Sequence, residues 1–288
     1  MGPTDASRLI VPLGAHEVEA VMPLSSEAGW NQLSADWRFM LSVGEGAGVR
    51  GKGDRWIGSG LMLPQGRRVA WISMVLVDGS HRRRGIGGAL LEHCFERAER
   101  QGSIAGLDAT EFGRPVYLRY GFRDVYPLRR WRLDRQPDRS SLPAALSVAP
   151  INSSDFGEVV CYDRPRSGLE REHVLAHLLH RRPRLAFAAR RSDILVGYVL
   201  ARDGRLATQI GPVVADNAET AVALIALAMH TGAPPYILDV PDAHTQLTGW
   251  LERQGATAPR GFMRMVRHPY PPIENERNVF ALAGPELA

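Results

Sequence analysis

Cysteine is nearly missing from this 288-residue chain: only Cys94 and Cys161 occur, far apart in sequence. That excludes a disulfide-stapled scaffold and leaves too few thiols for a cysteine-rich metal site. Both are expected to be buried, Cys94 on the apolar stripe of a helix. Lysine is scarcer still, with Lys52 alone beside a basic set that is otherwise arginine. No apolar run approaches the ~20 residues a membrane span requires. The opening MGPTDAS has no basic-then-apolar leader, so a cytoplasmic location away from membranes is expected. A net charge of +4 falls short of the clustered excess that marks a nucleic-acid binder, and no such partner is expected. The short arginine runs at 82–84, 129–130 and 181–182 have no aromatics clustered into a recognition motif. Hydrophobic and charged shares of 44% and 23% are those of a globular chain long enough for two ordinary domains.

Two phosphate-binding signatures are also absent. Gly85, Gly87 and Gly88 do not have Gly-x-Gly-x-x-Gly spacing, and no Gly-Lys-Ser/Thr follows, which excludes a dinucleotide fingerprint and a nucleoside-triphosphate loop. What is present is a run, VAWISMVLV at 69–77, whose β-branched and aromatic residues favour a strand. Turn residues Asp78-Gly79-Ser80 follow, then Arg82, Arg83, Arg84, Gly85, Ile86, Gly87 and Gly88 lead into a helical pattern. A strand ending in a glycine-rich turn at a helix start offers unpaired N–H groups and a positive dipole to an anion. The arginines add charge that a phosphate can pair with.

This stretch resembles motif A of the GCN5-related N-acetyltransferases (GNAT), whose Arg/Gln-x-x-Gly-x-Gly/Ala signature Arg82-x-x-Gly85-x-Gly87 matches. The resemblance implies that 82–88 cradle the pyrophosphate of acetyl-coenzyme A (acetyl-CoA) or another acyl-CoA. Val75, Leu76 and Val77 would then lie along its pantetheine arm, with Thr110 at the end of the next strand. A second block, Tyr117 to Phe122, matches the family's Tyr-x-x-x-Gly-Phe. By resemblance Tyr117 is the acid that protonates the departing thiolate; read from the residues alone, Tyr117 and Tyr120 could equally be packing residues. No metal is implied.

A strand is expected at 8–13, helices at 16–28 (kinked or restarted at Pro23) and 34–41, a glycine-rich hairpin region at 44–54, and strands at 56–63, 69–77, 104–110 and 123–133. Residues 135–143 read as a polar, proline-bearing linker. The same order of elements then recurs, with strands at 146–151, 185–190, 194–202, 206–214, 235–240 and 261–266 and helices at 155–162, 170–180, 219–230 and 244–254. The expected architecture is α/β with a mixed sheet: two tandem GNAT-like domains, each a central mixed β-sheet flanked by helices, at 1–135 and 146–288 with a linker at 136–145. In the second copy the turn Val213 to Glu219 has no arginine, no glycine and two carboxylates where phosphates would lie, so coenzyme binding is expected only in the first.

The resemblance implies an acyltransferase that moves an acetyl group onto a primary amine, preferably of a small molecule, by direct attack. The enzyme is expected as a monomer or homodimer. Trp30, Asp36, Trp37, Trp71 and Glu111 are candidate pocket residues, one of the two helix-region tryptophans being ordinary core. The family's usual strand glutamate is replaced by Trp71, so the general base stays open among Asp36, Asp108, Glu111, His93 or a water; Ser73 is nearby but no base alone. His93 is read chiefly as a core histidine. The competing reading is a non-catalytic acyl-CoA sensor or scaffold using Arg82 to Arg84.

Overall fold

The computed structural model describes residues 10–138, 146–267 and 275–288. The predicted start of the first strand and most of the linker lie outside them. In the first half β1 (Ile10–Leu13) leads to α1 (Val18–Glu27) and α2 (Ser34–Val43), then β2 (Glu45–Arg50), β3 (Trp56–Pro64), β4 (Val69–Val77), α3 (Ile86–Arg100), β5 (Ile104–Thr110), α4 (Arg114–Arg119) and β6 (Phe122–Leu133). The second half repeats that order: β7 (Ser147–Pro150), α5 (Phe156–Ser167), α6 (Glu172–Arg181), β8 (Phe187–Arg191), β9 (Ile194–Arg202), β10 (Thr208–Ala215), α7 (Ala218–Thr231), β11 (Tyr236–Pro241), α8 (Thr245–Arg253) and β12 (Thr257–Arg267). A last short strand, β13 (Val279–Ala281), pairs with β10.

The two halves share one mixed sheet, in the order β1-β2-β3-β4-β5-β12-β6-β11-β10-β9-β8-β7. Each half lends its last strand to the other. β12 lies against β5, with Phe262 to Val266 opposite Thr110 to Gly106, and β6 lies against β11, with Leu128 to Leu133 opposite Pro241 to Tyr236. β6 and β12 pair with each other at the centre. Side-chain alternation along β4 sends Val69 and Trp71 to one face and Ala70 and Ile72 to the other. The first face packs with α1, α2, α5 and α6 in a core that both halves share, and the second packs against α3.

Two expectations change. Pro23 sits inside an unbroken α1; both Pro23 and Glu19, whose carbonyl loses its N–H partner, are exposed, so the missing bond lies on the solvent side. The glycine-rich 44–54 region is the expected hairpin, β2 and a short 3₁₀ turn, Lys52–Asp54, leading back into β3, which pairs antiparallel with β2. Cys161 is exposed, because its place on α5 faces away from the core; Cys94 is buried, and burial pushes its thiol up to about 12.

Candidate active site

β4 and β5 run parallel but pair only where Val69 to Trp71 face Ile104 to Gly106. Beyond Trp71 they part. One extra residue in β4 makes the opening, since Ser59 stands opposite Leu76 but Leu61 opposite Ser73. Within this bulge Met74 adopts φ +52°, and the Ser59 hydroxyl donates to its carbonyl at 2.8 Å. The second half of β4 therefore shows β5 a backbone edge with no ladder partner, the kind of edge an extended ligand can pair with.

Asp78 organises the turn that follows. Its carboxylate accepts from the Ser80 N–H at 3.0 Å, from the Ser80 hydroxyl, from His81 Nδ1 at 2.9 Å and from Arg55. The Ser80 hydroxyl first, then His81, hold the carboxyl well below its usual range. Arg83 at φ +64° and Gly85 at φ +79° then swing the chain into α3. Gly85, at the N-cap, brings no side-chain oxygen to the helix start, so the first N–H groups of α3 have no side-chain cap. A β-carbon at Gly88 would fall 2.4 Å from the Tyr120 hydroxyl, so a side chain there would require the half-buried Tyr120 ring to shift. Arg82, Arg83 and Arg84 are exposed. Arg82 Nε donates to the Val77 carbonyl and Arg84 to the Ser80 carbonyl, both at 3.2 Å, and none of the three forms an ion pair among the described residues.

Where the strands part, a cavity of about 90 Å³ opens. Ser73, Met74 and Val75 of β4, Asp108 and Thr110 of β5, and Tyr117 of α4 line one side. Arg260 and Phe262 of β12, Arg130 of β6, Trp30 and Gln32 after α1, and Pro285 and Glu286 line the rest. Burial, with a smaller contribution from Cys94, pushes the Tyr117 phenol up to about 12, so it keeps its proton at neutral pH. Its hydroxyl has no hydrogen bond to another described residue.

The sequence-based candidates divide. Tyr117, Thr110, Val75 and Trp30 meet at the cavity, with Ser73 and Asp108. Leu76, Val77 and the 82–88 turn lie along the same wedge and its end. Trp37 is fully buried and donates to the Ser25 hydroxyl, so it is core. Trp71 is also fully buried, with its indole N–H on the Pro285 carbonyl at 2.8 Å. Asp36 does not line the cavity: it accepts from the Leu33 N–H and is held by Arg181 at 2.7 Å and Arg202 at 3.0 Å. Glu111 is exposed, outside the cavity lining. His93 is half-buried rather than core and lines a different groove with Glu45 and Arg97; burial, then Arg100 and Arg97, lower its pKa. Asp108 is bidentate to Arg264, at 2.8 and 2.7 Å.

Sequence reasoning missed the cavity residues that come from far along the chain: Gln32, Arg130, Arg260, Phe262 and Glu286. The segment 275–288 runs into the interior, where Leu282, Ala283 and Leu287 are fully buried. It is fastened by Gln65 donating to the Leu287 carbonyl at 2.8 Å and by Arg171 donating to Ala288 at 3.0 Å. Glu286 is 3% exposed. Its Oε1 accepts from Arg202, while its Oε2 has no partner among the described residues; nor has Gln32 Oε1.

The second half lacks the corresponding openings. Asn217 caps α7, its side chain accepting from the Thr220 N–H at 2.9 Å. Asp216, beside that turn, is taken by Tyr162 and Arg166, each at 2.9 Å. β10 and β11 also pair parallel only at their start, but there β13 pairs with β10 at Val213 and Val214, and Leu282 donates to the Asp239 carbonyl of β11 at 2.9 Å. The wedge is filled by the chain itself. Among the described residues no group of three or more His, Cys, Asp or Glu could hold a metal ion, and no helix is long and apolar enough to cross a membrane.

A splayed strand pair over a glycine-rich helix start, set in an element order that occurs twice, is the frame of an acetyltransferase, and the chain belongs to the GNAT superfamily as a tandem two-domain N-acetyltransferase. An acetyltransferase (GNAT) family model matches residues 20–122 and an acetyltransferase (GNAT) domain model matches 159–281. The chain is 25% identical over 249 residues to the uncharacterized N-acetyltransferase YitH of Bacillus subtilis, covering 85% of this chain and 86% of that one. Its fold is that of a putative acetyltransferase from Pyrococcus horikoshii, with TM-score 0.79 at 19% identity over 97% of this chain and 95% of that one. It also resembles a tandem GNAT protein from the clavulanic acid biosynthesis pathway, with TM-score 0.63 at 18% identity over 91% and 99%.

Proposed function

We propose that the first half binds acetyl-CoA along the β4–β5 wedge and transfers its acetyl group to a primary amine of a small molecule seated in the cavity, with Tyr117 as the general acid. The observation that carries this reading is the continuity of the site. The uncapped start of α3, three arginines with no acidic partner among the described residues, the open β4 edge and a half-buried, protonated phenol follow one another along one wedge. The α3 N–H groups and arginines suit a pyrophosphate, and the edge suits the amides of a pantetheine arm. The neutral amine nitrogen then bonds to the thioester carbon, the C–S bond breaks, the sulfur takes the Tyr117 proton, and the surplus proton on nitrogen restores the phenol. The second half, with its helix capped and its wedge occupied by β13, is proposed to bind no coenzyme and to complete the acceptor pocket through β12.

Calorimetry with acetyl-CoA, and thiol release across a panel of small primary amines, test this. The expected result is coenzyme binding that Arg84→Ala and Gly85→Ala weaken, and turnover that Tyr117→Phe removes without loss of binding. Unchanged turnover in Tyr117→Phe, or wild-type affinity in both loop variants, overturns it. Binding without thiol release from any amine favours a non-catalytic acyl-CoA sensor instead.

A further inference from the structure

The cavity holds two charged groups that the protein leaves open. Glu286 presents a carboxylate oxygen, Oε2, that is buried and has no partner among the described residues. Its other oxygen is tied to Arg202, itself fully buried and bound to Asp36, so the carboxylate is fixed in place. A β-carbon on Gly284 would lie 3.0 Å from Oε2, so that glycine makes the room. Gln32 adds a second buried oxygen without a partner. On β12, Arg260 stands opposite Arg130 in the sheet. Arg130 is committed to Asp239 in a bidentate pair at 2.8 Å, whereas Arg260 has neither an ion pair nor a hydrogen bond among the described residues. Its guanidinium lies over the Phe262 ring, 5.3 Å from the centroid.

A buried oxygen left unpaired is costly, more so when charged, and such groups in a cavity point to a ligand that satisfies them. Two acceptor oxygens suit an ammonium, which has N–H donors to fill both. A plain amine would still leave Arg260 without a counter-charge. At about 90 Å³, against the ~150 Å³ that takes up benzene, the space fits a compact molecule bearing both charges.

We propose that the acceptor is a small amino acid, its ammonium held by Glu286 and Gln32 and its carboxylate by Arg260, and that Glu286 Oε2 is the general base. This rests on the reading of the first half as the acetyltransferase site. The ammonium gives one proton to Glu286, which passes it to solvent. The freed lone pair forms the N–C bond as the C–S bond breaks. Sulfur takes the Tyr117 proton, and the second nitrogen proton restores the phenol.

The test compares an amino acid with its decarboxylated amine, both in calorimetric binding (with and without CoA) and in thiol release. The wild type is expected to prefer the amino acid by at least ~10-fold, one bidentate charge-assisted contact. Arg260→Gln should abolish that preference and leave acetyl-CoA affinity intact. Glu286→Gln should lower kcat/KM by ~10²–10⁴ and make it climb with pH as the free amine forms. Equal handling of both compounds, weaker coenzyme binding in Arg260→Gln, or a wild-type pH profile in Glu286→Gln overturns the proposal. If acetyl-CoA binds and amines are acetylated while these variants change nothing, this assignment alone fails. If acetyl-CoA does not bind, the transferase reading fails, and amino-acid binding to the free protein, lost in Arg260→Gln, still decides the acceptor site.

Discussion

Asp108 on β5 and Arg264 on β12 form a bidentate pair across the two halves, and Asp239 on β11 and Arg130 on β6 form its counterpart. Each aspartate follows a leucine in the parallel strand of its own half, and each arginine comes from the strand lent by the other. The exchanged strands are thus fastened twice by the same buried chemistry. Arg264 is 1% exposed and lies over the Trp71 ring, 4.4 Å from the centroid.

Removing one partner of such a pair leaves a buried charge unpaired and costs ~3–5 kcal/mol, whereas replacing both with apolar groups of similar volume is often neutral. Arg264→Met alone is therefore expected to unfold at clearly lower urea concentration than the wild type. Asp108→Leu combined with Arg264→Met should recover most of the loss. Denaturation midpoints decide it: a double variant no more stable than the single one would show that the pair is not the coupling.

The turn before α3 gives a second prediction. At Gly85 a β-carbon would meet nothing within 4 Å, so the cost of a side chain is confined to its backbone at φ +79°. Gly85→Ala should cost ~1–2 kcal/mol and weaken acetyl-CoA binding, since the α3 N–H groups must be re-aimed. Gly79, in the same turn, is equally open but has no positive φ. Gly79→Ala should match the wild type in both thermal unfolding and calorimetry; a loss as large as at Gly85 would contradict the backbone argument.

The features legible in the sequence are those written locally. Arg82 to Gly88 and Tyr117 to Phe122 are contiguous, so their turn and helix geometry follow from short-range sterics, and the repeat of element order exposes the duplication. The strand exchange was not legible, because pairing β5 with β12 joins residues about 150 positions apart with no local signature. Its one trace is the Leu107-Asp108 and Leu238-Asp239 repeat. Asp36 misled for a related reason. Its place three residues after Leu33 is a helix-capping position, and its commitment depends on Arg181 and Arg202, which only the folded chain brings near. No sequence feature assigned Glu286 a chemical role; its importance comes from where 275–288 threads.

For Tyr117 the pH dependence separates its role from packing. With the phenol pushed up to about 12, it stays protonated across the working range. Turnover should show no decline from tyrosine ionisation up to about pH 10, where an ordinary phenol of pKa ~10 would be half ionised. Tyr117→Phe should lower kcat by ~10²–10⁴ with acetyl-CoA affinity unchanged. A fall in affinity with kcat preserved would make the residue part of the wall instead.

His177 on α6 supplies a stability prediction whose sign is fixed by its surroundings. Its ring stacks on Phe39 of α2, centroids 3.9 Å apart, and Arg181 lies 3.4 Å from its Nε2. Burial first, then Arg181 and more weakly Arg202, lower its pKa from 6.5 to about 4, against the opposing pull of Asp36 and Asp203. Between those two values the unfolded chain binds a proton that the folded one does not, so stability falls as pH drops from 6.5 towards 4. His173 and His244 are lowered too, also by burial, and add to the same slope. His177→Phe should therefore lose less in melting temperature between pH 7.5 and pH 5 than the wild type, narrowing the gap without closing it. Parallel curves for the two proteins would mean that His177 takes up its proton without opening the Phe39 stack, and that the contact between α2 and α6 is indifferent to the charge beside Arg181.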